Sequence, residues 1–268
     1  MGAADAGGLA SRLTRRPRVI GIVASARKRY RVRSAFQPTR NEETSPMKII
    51  QKMALTGTAV AVVALGACSM APPAPANPMS FFVTSVNPGQ GANLGGLAGA
   101  DAYCEALASQ VGGTGRPWRA YLSTTASPGV VAINARDRIG KGPWKNAKGE
   151  VIANNVEELH SANRLGKQTS LSEKGELVSG RGDAVNMHDV LTGSTPEGRA
   201  SDASTDTTCG NWTQSGEGSA IVGHHDRTGL DESALAKSWN SSHATKGCGM
   251  DALKSTGGAG LLYCFIAN

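Results

Sequence analysis

The side chains able to do polar chemistry are few, and most lie late in the chain. His224-His225-Asp226 stand together, with His188, Asp231 and His243 elsewhere. Imidazoles and carboxylates of this kind can ligate a metal or move a proton near neutral pH. Adjacent residues of a strand point to opposite faces, so His224 and His225 cannot both serve one centre unless the chain turns there. They read as surface or loop histidines, and neither a catalytic residue nor a metal ligand is assigned from them. Serines abound, but no Gly-x-Ser-x-Gly elbow occurs. Gly89-Gln-Gly-Ala-Asn-Leu-Gly95 lacks the lysine and the strand–helix setting of a phosphate-cradling loop. Arg181-Gly182-Asp183 spells an integrin-recognition tripeptide, a match short enough to arise by chance.

The five cysteines carry more information. Cys68 closes Leu65-Gly66-Ala67-Cys68, after Met47, Lys48, Lys52 and the uncharged apolar run Met53 to Ala67. A basic start, an apolar stretch of about 15 residues and small residues before the cut define an export signal, too short for the roughly 20 residues of a spanning helix. The pattern resembles a bacterial lipoprotein signal. That resemblance implies that the Cys68 thiol is acylated (diacylglyceryl, palmitate-class chains) and becomes the new N-terminus. Two or three acyl chains make a stable anchor where one is marginal, and Ser69 after the cysteine favours the outer membrane. The remaining four, Cys104, Cys209, Cys248 and Cys264, are an even set in an oxidising compartment, where three pairings are open. The nested pairing, Cys104–Cys264 with Cys209–Cys248, is the expected one, because its first bridge ties a helix to the final strand. No Cys-x-x-Cys or close Cys/His pair exists, which argues against zinc held by these sulfurs.

Residues 1–46 hold ten basic and three acidic side chains. They read as an extension upstream of the true start at Met47, non-native or disordered, with 47–67 the signal peptide. Downstream of Cys68, 16 basic face 18 acidic residues, so the overall net charge of +7 belongs to the N-terminal segment. Nucleic-acid binding thereby loses its compositional support. Residues 68–79 form a Pro-rich tether, and 80–268 form one domain.

The elements that must position any site follow from periodicity. Ser80–Val86 and Trp118–Ser123 read as strands. Leu97 to Val111 reads as an amphipathic helix, with Leu97, Ala100, Cys104, Leu107, Ala108 and Val111 on one face, Asp101 in its first turn and Gly112 beyond its end. A short helix is expected over Val130–Ile139, a turn at Val156–His160, and strands at Val185–Leu191, Ala220–Val222 and Leu261–Ile266. The last is almost continuously apolar and so central.

Gly96-Leu-Ala-Gly-Ala-Asp-Ala-Tyr-Cys104, Trp118-Arg-Ala-Tyr-Leu-Ser-Thr124, Gly193-Ser-Thr-Pro-Glu-Gly-Arg199, Cys209-Gly-Asn-Trp212, Cys248 and Leu262-Tyr-Cys-Phe-Ile266 together resemble the endostatin domain that ends certain collagens. The resemblance spans nearly all of 80–268. It implies an α+β, C-type-lectin-like (endostatin-like) fold: a mixed, mainly antiparallel sheet, two helices, long loops and the nested disulfides. The basic residues that bind heparin in animal endostatins are absent from Asn93-Leu-Gly-Gly-Leu-Ala98, and their zinc ligands fall where this chain has Met79, Ser80 and Phe81. Neither property carries over. Trp239-Asn240-Ser241 is similar to the Trp-Asn-Asp calcium motif of C-type lectins, but Ser241 replaces the carboxylate that calcium prefers. Calcium is therefore a minor reading and no cofactor is expected. Trp239 reads first as a packed core ring; if exposed, it could stack on a sugar without metal, which makes Trp239, Asn240 and Trp212 the weak candidates for sugar contact. The resulting expectation is a non-enzymatic, outer-membrane lipoprotein, on the periplasmic face or the cell surface. Its domain would bind carbohydrate or an extracellular or envelope polymer, with the membrane met only through the lipid. The alternatives are a structural envelope protein working through protein–protein contacts and, more distantly, an envelope hydrolase using His225 with Asp226 or Asp231.

Overall fold

The computed structural model describes residues 77–202 and 205–268. The upstream extension, the signal, Cys68 and the tether through residue 76 lie outside the described residues. The domain is α+β, with a mainly antiparallel six-stranded sheet, a two-stranded sheet, four α-helices and one 3-10 turn among the described residues.

The sheet is organised by its last strand. Phe81–Val83 (β1), Trp118–Ala120 (β2), Trp144–Lys145 (β3), Val151–Ala153 (β4), Asp189–Leu191 (β5), Ile221–His224 (β6) and His243–Ala244 (β7) precede the nine-residue Gly258–Ile266 (β8). β8 pairs antiparallel with β1 and β2 and parallel with β5, and the sheet continues through β6 to β7. Successive side chains of a strand face opposite ways. Leu262, Cys264 and Ile266 therefore enter one core with Gly96–Gln110 (α1), while Leu261, Tyr263 and Phe265 enter another with Trp144, Tyr121 and Trp239. Covering both faces is what makes the run Leu261–Ile266 continuously apolar. The same double cover explains why the alternation expected over Trp118–Ser123 fails beyond Ala120: Tyr121, Leu122 and Ser123 are all buried.

Helix α1 buries Ala100, Cys104, Leu107 and Ala108 and packs Leu97 and Val111 against the same core, as the three- and four-residue spacing requires. Asp101 lies past the first turn. Its Oδ1 accepts a hydrogen bond from the Ala120 amide (2.9 Å), and both its oxygens accept from Arg138 Nη2 (2.8 and 2.7 Å). The disulfides are Cys104–Cys264, which joins α1 to β8, and Cys209–Cys248. Closing 160 and 39 residues restricts the unfolded chain by about 5 and 4 kcal/mol on the chain-entropy model.

Several local expectations change. Val130–Ile139 is not an α-helix: Ile133 and Thr124 exchange hydrogen bonds across the loop, and only Ala135–Asp137 forms a 3-10 turn. Val130, Val131 and Ile133 stay exposed, so no core rewards a helical face there. The strand expected from Val185 begins only at Asp189, because the His188 amide turns back to Asn186 Oδ1 (3.3 Å). Two short helices and two turn-like pairings carry no strong periodicity. They are Val156–Leu159 (α2), capped by Asn155; Cys209–Trp212 (α3), left-handed at Gly210 and Asn211; the β3–β4 hairpin; and the edge strand β7. Met250–Thr256 (α4) closes at Gly257, whose φ of 108° suits only glycine.

Candidate functional site

Strand register assembles a polar centre inside the sheet. Asp189 on β5 pairs directly with His224 on β6, and Val222 on β6 pairs with His243 on β7. Residues two apart share a face, so Asp189, His224 and His243 meet on one side of the sheet. His188 joins them from just before β5, where the β5–β8 register shifts between Asp189 and Val190. The Nε2 atoms of His188, His224 and His243 lie 3.2, 3.3 and 3.4 Å from one atom, Asp189 Oδ1. The His188 and His224 rings stack with centroids 4.1 Å apart, and the His243 ring stands edge-on to His224 at 5.1 Å.

The other face of each imidazole is occupied. His188 Nδ1 donates to Asp226 Oδ1 (3.3 Å), His224 Nδ1 to the Ala236 carbonyl (2.7 Å) and His243 Nδ1 to the Ala244 carbonyl (3.2 Å). Asp226 in turn accepts from the Arg181 amide (2.7 Å) and the Thr228 amide (3.0 Å). Burial opposes ionisation of Asp226, but the bond from His188 and these two amides outweigh it and hold its carboxyl well below the usual range. Burial likewise opposes ionisation of Asp189, and His224, His243 and His188 outweigh it, so its carboxyl also stays low. Contact with Asp189 raises the pKa of His243 against partial burial. Asp189 Oδ1, Asp189 Oδ2 and His224 Nε2 are buried without an aligned hydrogen bond. Among the described residues, His188, Asp189 and His224 are the group whose donor atoms lie close enough to share one cation.

Two glycines make the room. A Cβ on Gly257 would lie 2.9 Å from His188 Nε2, and one on Gly223 would fall 1.8 Å from the Trp239 carbonyl oxygen. Gly223 thus lets the segment 238–242 lie against β6, where the His224 amide bonds the Ser238 carbonyl and the Ser242 amide bonds Val222. His243 is 36% exposed while His188 and Asp189 are 2%. A cavity of about 170 Å³ reaches the cluster from that side, lined by His224, Ser242, His243, Leu230 and Leu235 among others.

The other sequence candidates fall elsewhere. His225 turns away to the Ser179 carbonyl (3.1 Å), and burial lowers its pKa. Asp231 is an exposed turn residue whose carboxylate accepts from the Ser233 amide (2.9 Å). Asp183 of the Arg-Gly-Asp tripeptide is tied to Lys167 and to the Gly180 amide. The three residues expected to contact sugar are interior. Trp239 is 3% exposed and packs on Tyr121 (4.8 Å) and Tyr263 (5.3 Å); Asn240 donates to Tyr121 Oη and to the Thr195 and Pro196 carbonyls. Trp212 is buried and donates to the Ser123 carbonyl (2.8 Å). Trp212 is enclosed by the first core, while Trp239 and Asn240 meet solvent only at the lining of a cavity of about 210 Å³ shared with His160, Asn163 and Arg227. Asp189 was missed by sequence reading. A lone carboxylate at the head of a three-residue strand has no local signal; only its pairing partner His224 gives it meaning.

Comparison with models of known protein families gives no match, and neither does comparison with curated proteins. Among the described residues no helix is long and apolar enough to cross a membrane.

Proposed function

We propose that this chain is an exported lipoprotein, anchored through acylated Cys68 in the outer membrane. Its C-type-lectin-like domain binds carbohydrate or another envelope or extracellular polymer and does not transform it. The observation that supports this reading best is the cysteine distribution: four of five form two buried crosslinks, and the fifth is Cys68 in the lipobox. Crosslinks of this kind suit an oxidising compartment. They also brace a frame of short strands from which long loops project, the usual division between scaffold and recognition surface. With Trp239 and Trp212 packed inside, recognition falls to the loops between the strands. A second reading has one observation in its favour. Val130, Val131 and Ile133 are 58%, 82% and 40% exposed in a single loop, which suits a protein–protein contact.

The test has two arms. Cells producing the chain are labelled with tritiated palmitate, with Cys68→Ala as control, and membranes are separated by density. Label on the parent chain alone, in the outer-membrane fraction, supports the anchor; label on both or on neither overturns it. The purified protein is then applied to glycan and envelope-polymer arrays. Silence across the arrays, with a cross-linked protein partner lost in Val131→Asp, would replace the polymer reading with the contact reading.

A further inference from the structure

The structure assigns His188, Asp189 and His224 as ligands of one divalent transition-metal ion of the zinc class, with His243, 3.4 Å from Asp189 Oδ1 on the open side, drawn in as the fourth. Geometry carries the assignment. In a tetrahedral zinc site with bonds of about 2.0–2.2 Å to nitrogen and oxygen, neighbouring donor atoms lie about 3.3–3.5 Å apart. The three Nε2-to-Oδ1 separations of 3.2, 3.3 and 3.4 Å match three of the six edges, those that meet at Asp189 Oδ1. They are poor hydrogen-bond contacts by comparison, since Asp189 Oδ1 and His224 Nε2 both lack an aligned partner.

Proton placement points the same way. All three Nδ1 atoms face acceptors, namely the Asp226 carboxylate, the Ala236 carbonyl and the Ala244 carbonyl, so each carries its ring's hydrogen. In the neutral rings all three Nε2 lone pairs then crowd one carboxylate oxygen. Three such lone pairs held against one buried anionic oxygen repel it unless positive charge lies among them. One extra proton relieves one contact; a dication relieves all of them. Nδ1–H donated to a carboxylate or a main-chain carbonyl is also the arrangement that orients metal-bound histidines. An imidazole and carboxylate set favours zinc and its neighbours over calcium or magnesium, which take oxygen ligands. The ion would enter past His243, the most exposed of the four, through the cavity beside it. The site is remote in sequence from Met79–Phe81, where the endostatin resemblance would locate zinc, and stands on its own residues.

The full chain, solubilised in detergent and stripped with chelator, is titrated with Zn(II) by calorimetry and with Co(II) by visible absorption. One equivalent of each is expected, with the intense bands of four-coordinate cobalt and a zinc-dependent rise in Tm that Ca(II) and Mg(II) do not reproduce. Because Asp189 is buried, the first variant is the more accessible His243→Gln, checked by circular dichroism and by intact disulfides. It should weaken Co(II) binding by more than the roughly 10- to 100-fold expected for the outer-shell change Asp226→Asn. A folded, fully crosslinked protein that takes up neither ion would overturn the assignment. So would metal uptake unchanged in His243→Gln together with His224→Ala, which would make the cluster a proton-sharing network and any bound ion a surface one.

Discussion

Replacing Asp101 by Ala should be the most costly single change outside the hydrophobic cores. Asp101 and Arg138 grip the same residue: Asp101 accepts from the Ala120 amide while Arg138 donates to the Ala120 carbonyl and, through Nη2, to both Asp101 oxygens. Their side chains are only 15% and 11% exposed, so solvent screens the pair weakly. Removing the carboxylate strands a guanidinium and an amide between α1, β2 and the 3-10 turn. Breaking a buried pair from one side costs about 3–5 kcal/mol. For a domain of this size, at about 2–4 °C per kcal/mol, Tm should fall by about 6–20 °C. Arg119, which approaches Asp101 at 3.6 Å from a more exposed position, is too loosely held to compensate. Urea unfolding of the parent, Asp101→Ala, Arg138→Met and the double variant closes a thermodynamic cycle. A coupling of about 2–3 kcal/mol is expected, with the double variant little worse than Asp101→Ala alone. If Asp101→Ala costs less than about 1 kcal/mol, or the two changes simply add, the clamp does not hold α1 to the sheet and the reasoning fails.

Three further outcomes follow from the same structure. His160 donates through Nδ1 to the Val156 carbonyl (2.7 Å) and accepts at Nε2 from the Tyr121 hydroxyl (2.7 Å), and burial lowers its pKa. The unfolded chain therefore takes up a proton near pH 6.5 that the folded chain refuses, and stability falls as pH drops below that value, by at most about 1.4 kcal/mol per pH unit. His160→Gln should remove that part of the slope in denaturation midpoints measured between pH 7.5 and 5, and an unchanged slope would exclude His160 as its source. Gly223→Ala places a methyl group against the Trp239 carbonyl. It should cost about 2–4 kcal/mol or displace the segment 238–242, read as loss of Trp239 fluorescence burial. A wild-type fluorescence profile would refute the close approach. Converting Cys104 and Cys264 to Ala should destabilise more than converting Cys209 and Cys248, by about 1 kcal/mol from loop length, since all four cysteines are buried in the same core. Chemical denaturation of the two variants checks the order, and equal or reversed losses would show that loop closure does not rank them.

Local patterns in the chain determined α1 and β8 and favoured the crosslink that joins them. Three- and four-residue spacing from Leu97 to Val111 and the unbroken apolar run Leu261–Ile266 are properties of neighbouring residues, whereas four cysteines leave three pairings for the tertiary structure to choose among. The tertiary structure alone decided the rest, for physical reasons visible in particular residues. Trp239 stands among polar neighbours, so its sequence setting allows a packed ring or an exposed one, and a sheet covered on both faces draws it into the second core. Met250–Thr256 and β7 are too short for periodicity to register. The polar centre depends on which residues face one another across β5, β6 and β7. Asp189 and His224 are 35 positions apart in sequence and opposite one another in space, and strand register, a non-local quantity, is what joins them.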